Sequence, residues 1–261
     1  MSPAVESVLR RDRAIVLGSL AGIALLAWLY LLRQAGGMAE MAKHAAMGMM
    51  PQTQPWGLVD GLLLFVMWAV MMLAMMVPSA APMLLMFAVI NRRRAEQHGP
   101  VVRTWSFLLG YLIVWTAYSG LAALAQWTLH GVALLSPMMV STSRSLGGGL
   151  LVAAGVYQMT PLKRACLTTC RSPVSFLMTE WREGHAGAVV MGLRHGLYCV
   201  GCCWALMALL FVAGVMNLVW IAALAILVML EKIVPGGPRL SVLTGTALVV
   251  AGALMLTRLW P

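Results

Sequence analysis

The feature that most constrains this chain is a series of long apolar runs separated by short basic clusters. About 20 apolar residues in a row match the length of a helix that crosses the hydrocarbon core of a bilayer. The candidate spans are residues 15–32, 58–77 with an extension towards 90, 105–129, 146–160, 195–213, 218–233 and 240–259. Because these runs are continuous rather than alternating, they exclude an outer-membrane β-barrel. We predict an all-α, polytopic transmembrane helical bundle of about seven spans.

The composition excludes a soluble globular enzyme. Of the 261 residues, 61% are hydrophobic and 10% are charged, whereas a soluble domain carries about 25% charged residues. Membrane lipid is therefore the expected surrounding of much of the surface. A net charge of +10 could suggest nucleic acid, but the basic residues lie between apolar runs, as the positive-inside rule describes. We expect no nucleic-acid partner.

The basic clusters also predict an orientation. They lie near residues 10–13, 92–103, 163–194 and 232–239, so seven spans would place all four in the cytoplasm. The N-terminus is then inside and the C-terminus outside a bacterial cytoplasmic (inner) membrane. The first run resembles a secretory signal, but it is longer than such a signal's apolar region and no A-x-A site follows, so we expect a retained helix.

This orientation divides the chain into three parts. Residues 1–33 form an N-terminal transmembrane helix, residues 34–56 a Met/His-rich external loop, and residues 57–261 a six-helix membrane domain with cytoplasmic-side Cys/His motifs. A helix over residues 56–90 would measure about 52 Å, well beyond a core of about 30 Å. We therefore expect Pro78 and Pro82 to kink or break it.

The cysteines form the most specific motif. All five lie in two groups on the predicted cytoplasmic side, and on a helix His195, Cys199 and Cys202 share a face about 60° wide. Thiolate and imidazole are ligands of Cu(I) and Zn(II), and a reducing cytosol disfavours structural disulfides. The alternative is that these cysteines are ordinary small apolar residues of helix interiors. The predicted metal site comprises Cys166, Cys170, His195, Cys199, Cys202 and Cys203.

Methionine is abundant, with 22 residues, and is unevenly placed. A first group lies in the predicted external loop: Met38, Met41, His44, Met47, Met49 and Met50. A second group, Met67, Met71 and Met75, follows one helix face at four-residue spacing, with Met72 and Met76 beside it. Thioether sulfur binds Cu(I) without losing a proton, although a methionine stripe can equally be core packing. The candidate methionine-region ligands are Met38, Met41, His44, Met67, Met71 and Met75.

Two charges end the sixth run, Glu231 and Lys232. We interpret them as interfacial anchors that snorkel or pair locally. The alternative is that Glu231 hydrogen-bonds to the ligand His195 or accepts a proton.

Two segments resemble a known bacterial family. Residues 157–166 read YQMTPLKRAC and residues 195–207 read HGLYCVGCCWALM. Both resemble the predicted metal-binding integral membrane proteins of domain of unknown function 2182, over about residues 57–258. The resemblance implies metal binding through these cysteines and the histidine.

Together these patterns predict an inner-membrane protein that binds a soft metal and transports or delivers it. The metal is most simply copper as Cu(I), with Zn(II) as an alternative. A metallochaperone or a membrane complex would be its partner. The alternatives are a membrane thiol or metal-cofactor oxidoreductase, and a non-catalytic membrane subunit with a structural metal. Without a Walker motif, a nucleophile elbow or a dinucleotide fingerprint, we favour a carrier or binding protein over an enzyme.

Overall fold

A computed structural model describes residues 3–46, 57–96, 102–131 and 143–257. Within these ranges the regular structure is helical throughout, which confirms the all-α prediction. The helices are α1 (Pro3–Ala46), α2 (Leu58–Glu96), α3 (Thr104–Gly131), α4 (Arg144–Met159), α5 (Pro161–Arg171), α6 (Pro173–Glu180), α7 (Gly184–Ala208), α8 (Leu210–Ala213), α9 (Leu218–Ile233) and α10 (Gly237–Leu256).

Five segments of the described chain are long and apolar enough to cross a membrane. They are Ala14–Gly37, Leu58–Arg94, Thr104–Gly131, Gly184–Ala213 and Gly237–Leu256. Helices α4 and α9 have 16 residues each, about 24 Å at 1.5 Å per residue, which is shorter than a core of about 30 Å. The structure thus supports a membrane protein, while the count of seven spans stays a prediction.

Helix α2 is continuous through Pro78 and Pro82, so these prolines do not break it, while the kink stays a prediction. Its 39 residues extend over about 58 Å. In the turn before these prolines, Ser79 Oγ and Tyr111 OH both donate to the carbonyl of Met76, at 2.9 and 3.1 Å. The carbonyls that lose their helical partners to the prolines are those of Ala74 and Pro78, so these two bonds hold the neighbouring turn and join it to Tyr111 of α3.

Helix α1 also extends further than predicted, because it continues to Ala46. The predicted external loop, residues 34–56, is therefore helical over residues 34–46, and residues 47–56 lie outside the described residues. The segment is rich in Ala, Met, Glu and Lys, which are strong helix formers. The side chains of Met38, Met41 and His44 are likewise outside the described part, as are Met47, Met49 and Met50.

Glycines bring two helix pairs into backbone contact. A Cβ atom on Gly155 of α4 would lie 2.6 Å from the carbonyl oxygen of Gly245 in α10. A Cβ on Gly192 of α7 would lie 2.0 Å from the carbonyl oxygen of Phe107 in α3. Small residues allow such close helix approach within a membrane. The α3–α7 contact matters for function, because α7 carries His195 and three of the cysteines.

Candidate metal centre

Helix α5 positions the first cysteine pair. Thr160 ends α4 and caps α5, since its side-chain oxygen accepts from the Lys163 amide at 3.2 Å and Pro161 begins the helix. Cys166 and Cys170 follow one turn apart. The Cys166 sulfur lies 2.8 Å from the place that a Cβ on Gly201 of α7 would occupy. The missing side chain at Gly201 therefore makes room for the Cys166 thiol against α7.

Helix α7 presents the second group on its buried face. His195 is 3% exposed, Cys199 0%, Cys202 1% and Cys203 1%. The four residues share one side of the helix, as their spacing predicts.

The thiols of α5 meet those of α7. The Cys170 thiol hydrogen-bonds with Cys199 and Cys202, and these bonds raise the pKa of Cys170 well above its ordinary value. Burial raises the pKa of Cys166, and neighbouring Cys202 adds to the effect. Both α5 cysteines are thus held next to α7 as protonated thiols at neutral pH. The structure brings the two predicted cysteine groups together.

Cys199 has two polar partners that the sequence analysis did not assign to it. Tyr111 OH lies 3.1 Å from the Cys199 sulfur, and Lys232 Nζ lies 3.0 Å from it. Lys232 also donates to Ser79 Oγ at 2.9 Å. An ammonium group at this distance favours negative charge on the sulfur. Cys199 is therefore the most strongly positioned thiol of the group.

The interpretation of Glu231 and Lys232 as interfacial anchors is wrong. Their exposed fractions are 1% and 9%, because the C-terminal end of α9 packs against α2, α5 and α7. Glu231 pairs with Lys163 at 2.6 Å and accepts from Gln158 Nε2 at 2.9 Å. Glu231 therefore binds the α4–α5 side, while Lys232 binds the thiols.

Methionines of α2 lie in the core and one of them reaches the cysteines. Met67, Met71 and Met75 are 5%, 0% and 2% exposed, and Met72 and Met76 are fully buried. The Met76 sulfur lies 4.0 Å from the Cys203 sulfur. A metal–sulfur bond of about 2.3 Å, as for zinc, allows two sulfurs on one ion to lie up to about 4.6 Å apart. Cys203 and Met76 are therefore within reach of a single soft ion.

His195 lies in an aromatic cage. Its ring centroid is 6.0 Å from that of Phe107, 5.7 Å from that of Tyr111 and 5.6 Å from that of Phe176. Its Nδ1 is buried and has no hydrogen-bond partner within the described structure. Buried nitrogens of this kind are rare and need a reason, and an imidazole nitrogen is a metal donor.

The described side chains do not form a ready-made metal cage. Over the described ranges, no three His, Cys, Asp or Glu side chains are grouped so that they could hold a metal ion. Structural Zn(II) needs four ligands in a tetrahedron, which this arrangement does not supply. Paired sulfur atoms suit soft Cu(I) better.

Sequence reasoning missed Tyr111, Ser79 and Lys163. Each lies far along the chain from its partner: Tyr111 from Cys199, Ser79 from Lys232, and Lys163 from Glu231. In the sequence Tyr111 is one aromatic residue of an apolar run. Lys232 could have been identified from the sequence, because a charge beside an apolar run needs an explanation.

Comparison with known proteins gives one match. No curated protein and no solved structure matches the chain. A family model described as PpoB2, copper chaperone, matches residues 65–255, which include the methionines of α2 and both cysteine motifs. This match supports the predicted copper-related function, while membership of domain of unknown function 2182 stays a prediction. Because the match covers well over half of the sequence, the chain belongs to the PpoB2 copper chaperone family.

Proposed function

We propose that this protein binds Cu(I) in the bacterial cytoplasmic membrane and passes it along a series of sulfur ligands, for transport or for delivery to a partner protein. The observation that carries the proposal is the 4.0 Å contact between Cys203 and Met76. It joins the cysteine motif of α7 to the methionine-rich helix α2. Without it, the two soft-ligand groups would be separate features of the fold.

The proposed route begins at the thiols of α5. Cys170 contacts Cys199 and Cys202, and Cys203 follows on the same face of α7 and contacts Met76. Copper would move by exchange of one sulfur ligand for the next. Thiolates hold the ion tightly, and thioethers release it more readily because they are neutral. Tyr111 and Lys232 fix Cys199 in this series.

The remaining parts of the proposal come from the sequence. Seven spans with the N-terminus inside would place Cys166 and Cys170 at the cytoplasmic face. Met38, Met41 and His44 would capture or release copper on the outer side, with Met67, Met71 and Met75 between the two ends. A metallochaperone or a membrane complex would exchange copper with either end.

The experiment loads the purified full chain with Cu(I) without oxygen and compares Met76→Leu with wild type. This swap keeps volume and apolarity, and in a core it costs under about 1.5 kcal/mol. Met86→Leu is the matched control on the same helix. We expect Met76→Leu to reach the membrane at normal abundance, lose at least tenfold in copper affinity and abolish copper-dependent accumulation or tolerance in cells. X-ray absorption should show sulfur ligands in wild type.

Several results would contradict the proposal. Equal copper affinity of Met76→Leu and Met86→Leu would exclude ligation by Met76. Tightly held tetrahedral zinc would indicate a structural metal instead. A disulfide that cycles with an electron acceptor, without stoichiometric copper, would indicate an oxidoreductase.

A further inference from the structure

A cavity of about 220 Å³ leads from the protein surface to the thiols. Its outer part is formed by Ile233, which is 56% exposed, and by the half-buried Arg171. Its inner part is formed by Cys170, His195 and Lys232. Cys170, which is the first thiol of the proposed route, and His195 therefore both line the cavity. We call it the thiol cavity.

The thiol cavity is cationic. Arg171 and Lys232 both line it, and its described lining includes no Asp or Glu. The carboxylate of Glu231, the chain neighbour of Lys232, is bound to Lys163 and Gln158. The Arg171 guanidinium donates to the backbone carbonyls of Glu231 and Pro235, which position it without neutralising its charge.

A positive charge is unexpected at the entrance to a metal site, because the ion that usually arrives there is itself a cation. Lys232 lies beside the Cys199 sulfur, but the charge of Arg171 has no carboxylate opposite it among the described residues, so the cavity still repels a free Cu⁺ cation and attracts anions. The sulfur and nitrogen donors beneath it are nevertheless ligands for Cu(I). Both observations are satisfied if the ion arrives already bound to anionic ligands.

We infer that copper enters the thiol cavity as an anionic Cu(I) bis-thiolate complex of a small-molecule thiol; this inference rests on the proposed function. The volume of the cavity favours a small donor, because it lies below the roughly 300–1,000 Å³ of usual ligand pockets. A cavity of this size admits a thiolate arm rather than a folded protein surface. Arg171 acts as a positioning residue that attracts the complex to Cys170.

The transfer is a ligand exchange without change of oxidation state. Cys170 and then Cys199 each form one Cu–S bond while one bond to a donor thiolate breaks. The Cys170 proton leaves with the first donor group, whereas Cys199, beside Lys232, enters as a thiolate and releases the second donor group as a thiolate. One complex, one protein thiol and one protein thiolate thus yield copper held by two protein thiolates, one free donor thiol and one free donor thiolate. Copper remains Cu(I), and no oxidant or reductant takes part.

The test compares two copper donors of opposite charge on the full chain in an uncharged detergent. Cu(I)–glutathione is the anionic donor and the Cu(I)–acetonitrile complex is the cationic donor. Stopped-flow absorption of the copper–thiolate bonds gives the loading rate. The variants are Arg171→Gln, Arg171→Lys, and Arg164→Gln, which removes the same charge from the exposed side of the same helix.

We expect Arg171→Gln to slow loading from Cu(I)–glutathione at least fivefold at low salt, without slowing loading from Cu(I)–acetonitrile. Arg171→Lys and Arg164→Gln should stay within twofold of wild type, since each keeps the charge at the cavity. High salt should remove most of the difference, because it shortens the range of electrostatic attraction.

Equal slowing with both donors, or an Arg171→Lys variant as slow as Arg171→Gln, would overturn the inference. Loading only from a thiolate-bearing protein would contradict the inference that the donor is a small molecule. If wild type takes up copper neither from these two donors nor from a thiolate-bearing protein, the proposed function itself fails. If the chain loads equally well from both donors, the proposed function stands and the inference is wrong.

Discussion

Removal of one charge from the buried Lys163–Glu231 pair should destabilise the helical bundle strongly. Both side chains are 1% exposed and their charged atoms lie 2.6 Å apart. An exposed pair would contribute about 0–1 kcal/mol, whereas loss of one partner from a buried pair costs about 3–5 kcal/mol because the other charge is left unpaired. We expect Lys163→Met and Glu231→Met each to show a loss of this size.

The double variant separates the cost of an unpaired charge from the loss of contacts. With both charges removed, Gln158 loses its hydrogen bonds to Lys163 and Glu231 but keeps that to Thr244. At about 1 kcal/mol for each hydrogen bond, the double variant should lose only about 1–3 kcal/mol, less than either single variant. Reversible unfolding in mixed micelles, followed by the fluorescence of the 10 tryptophans, measures these values. Additive losses in the double variant would refute this reasoning.

Two other predictions follow from the packing and the thiols. Gly155→Ala should reduce the free energy of unfolding by about 1–3 kcal/mol, because its Cβ would lie 2.6 Å from the carbonyl oxygen of Gly245. The control Gly149→Ala, with open space around the site, should be neutral or stabilising. Equal thermal denaturation midpoints of the two variants would contradict this prediction. Because burial raises the pKa of Cys166, a smaller fraction of this thiol is thiolate at pH 7. Alkylation of Cys166 should therefore be slow at pH 7 and still accelerate above pH 9. Mass spectrometry gives the alkylation rate, and a plateau below pH 9 would contradict the raised pKa.

The helical class and the buried face of α7 could be predicted because both depend on local periodicity. His195 and Cys199 lie one turn apart, so any helix through them places them on the same side. The proximity of Cys170 to Cys199 also followed, since the predicted topology returned both segments to one side of the membrane.

The partners of Cys199 could not be predicted in the same way. Lys232 lies 33 positions further along the chain and Tyr111 lies 88 positions before it, so their contacts depend on how α3, α7 and α9 pack. Window counting also placed Lys232 at a membrane boundary, whereas the surrounding helices bury it. The contact between Tyr111 of α3 and α2 beside Pro78 depends on tertiary packing as well.

The glycine contact between α4 and α10 has a consequence for biosynthesis. Gly155 and Gly245 are separated by 90 positions, and each glycine of the pair would clash with the partner backbone if it carried a side chain. Helix α4 therefore leaves the ribosome long before the surface that it packs against. Until α10 has been made and inserted, that glycine face must be covered by lipid or by an insertion factor. Nascent chains stalled before residue 237 should accordingly be more sensitive to proteases than chains that include α10.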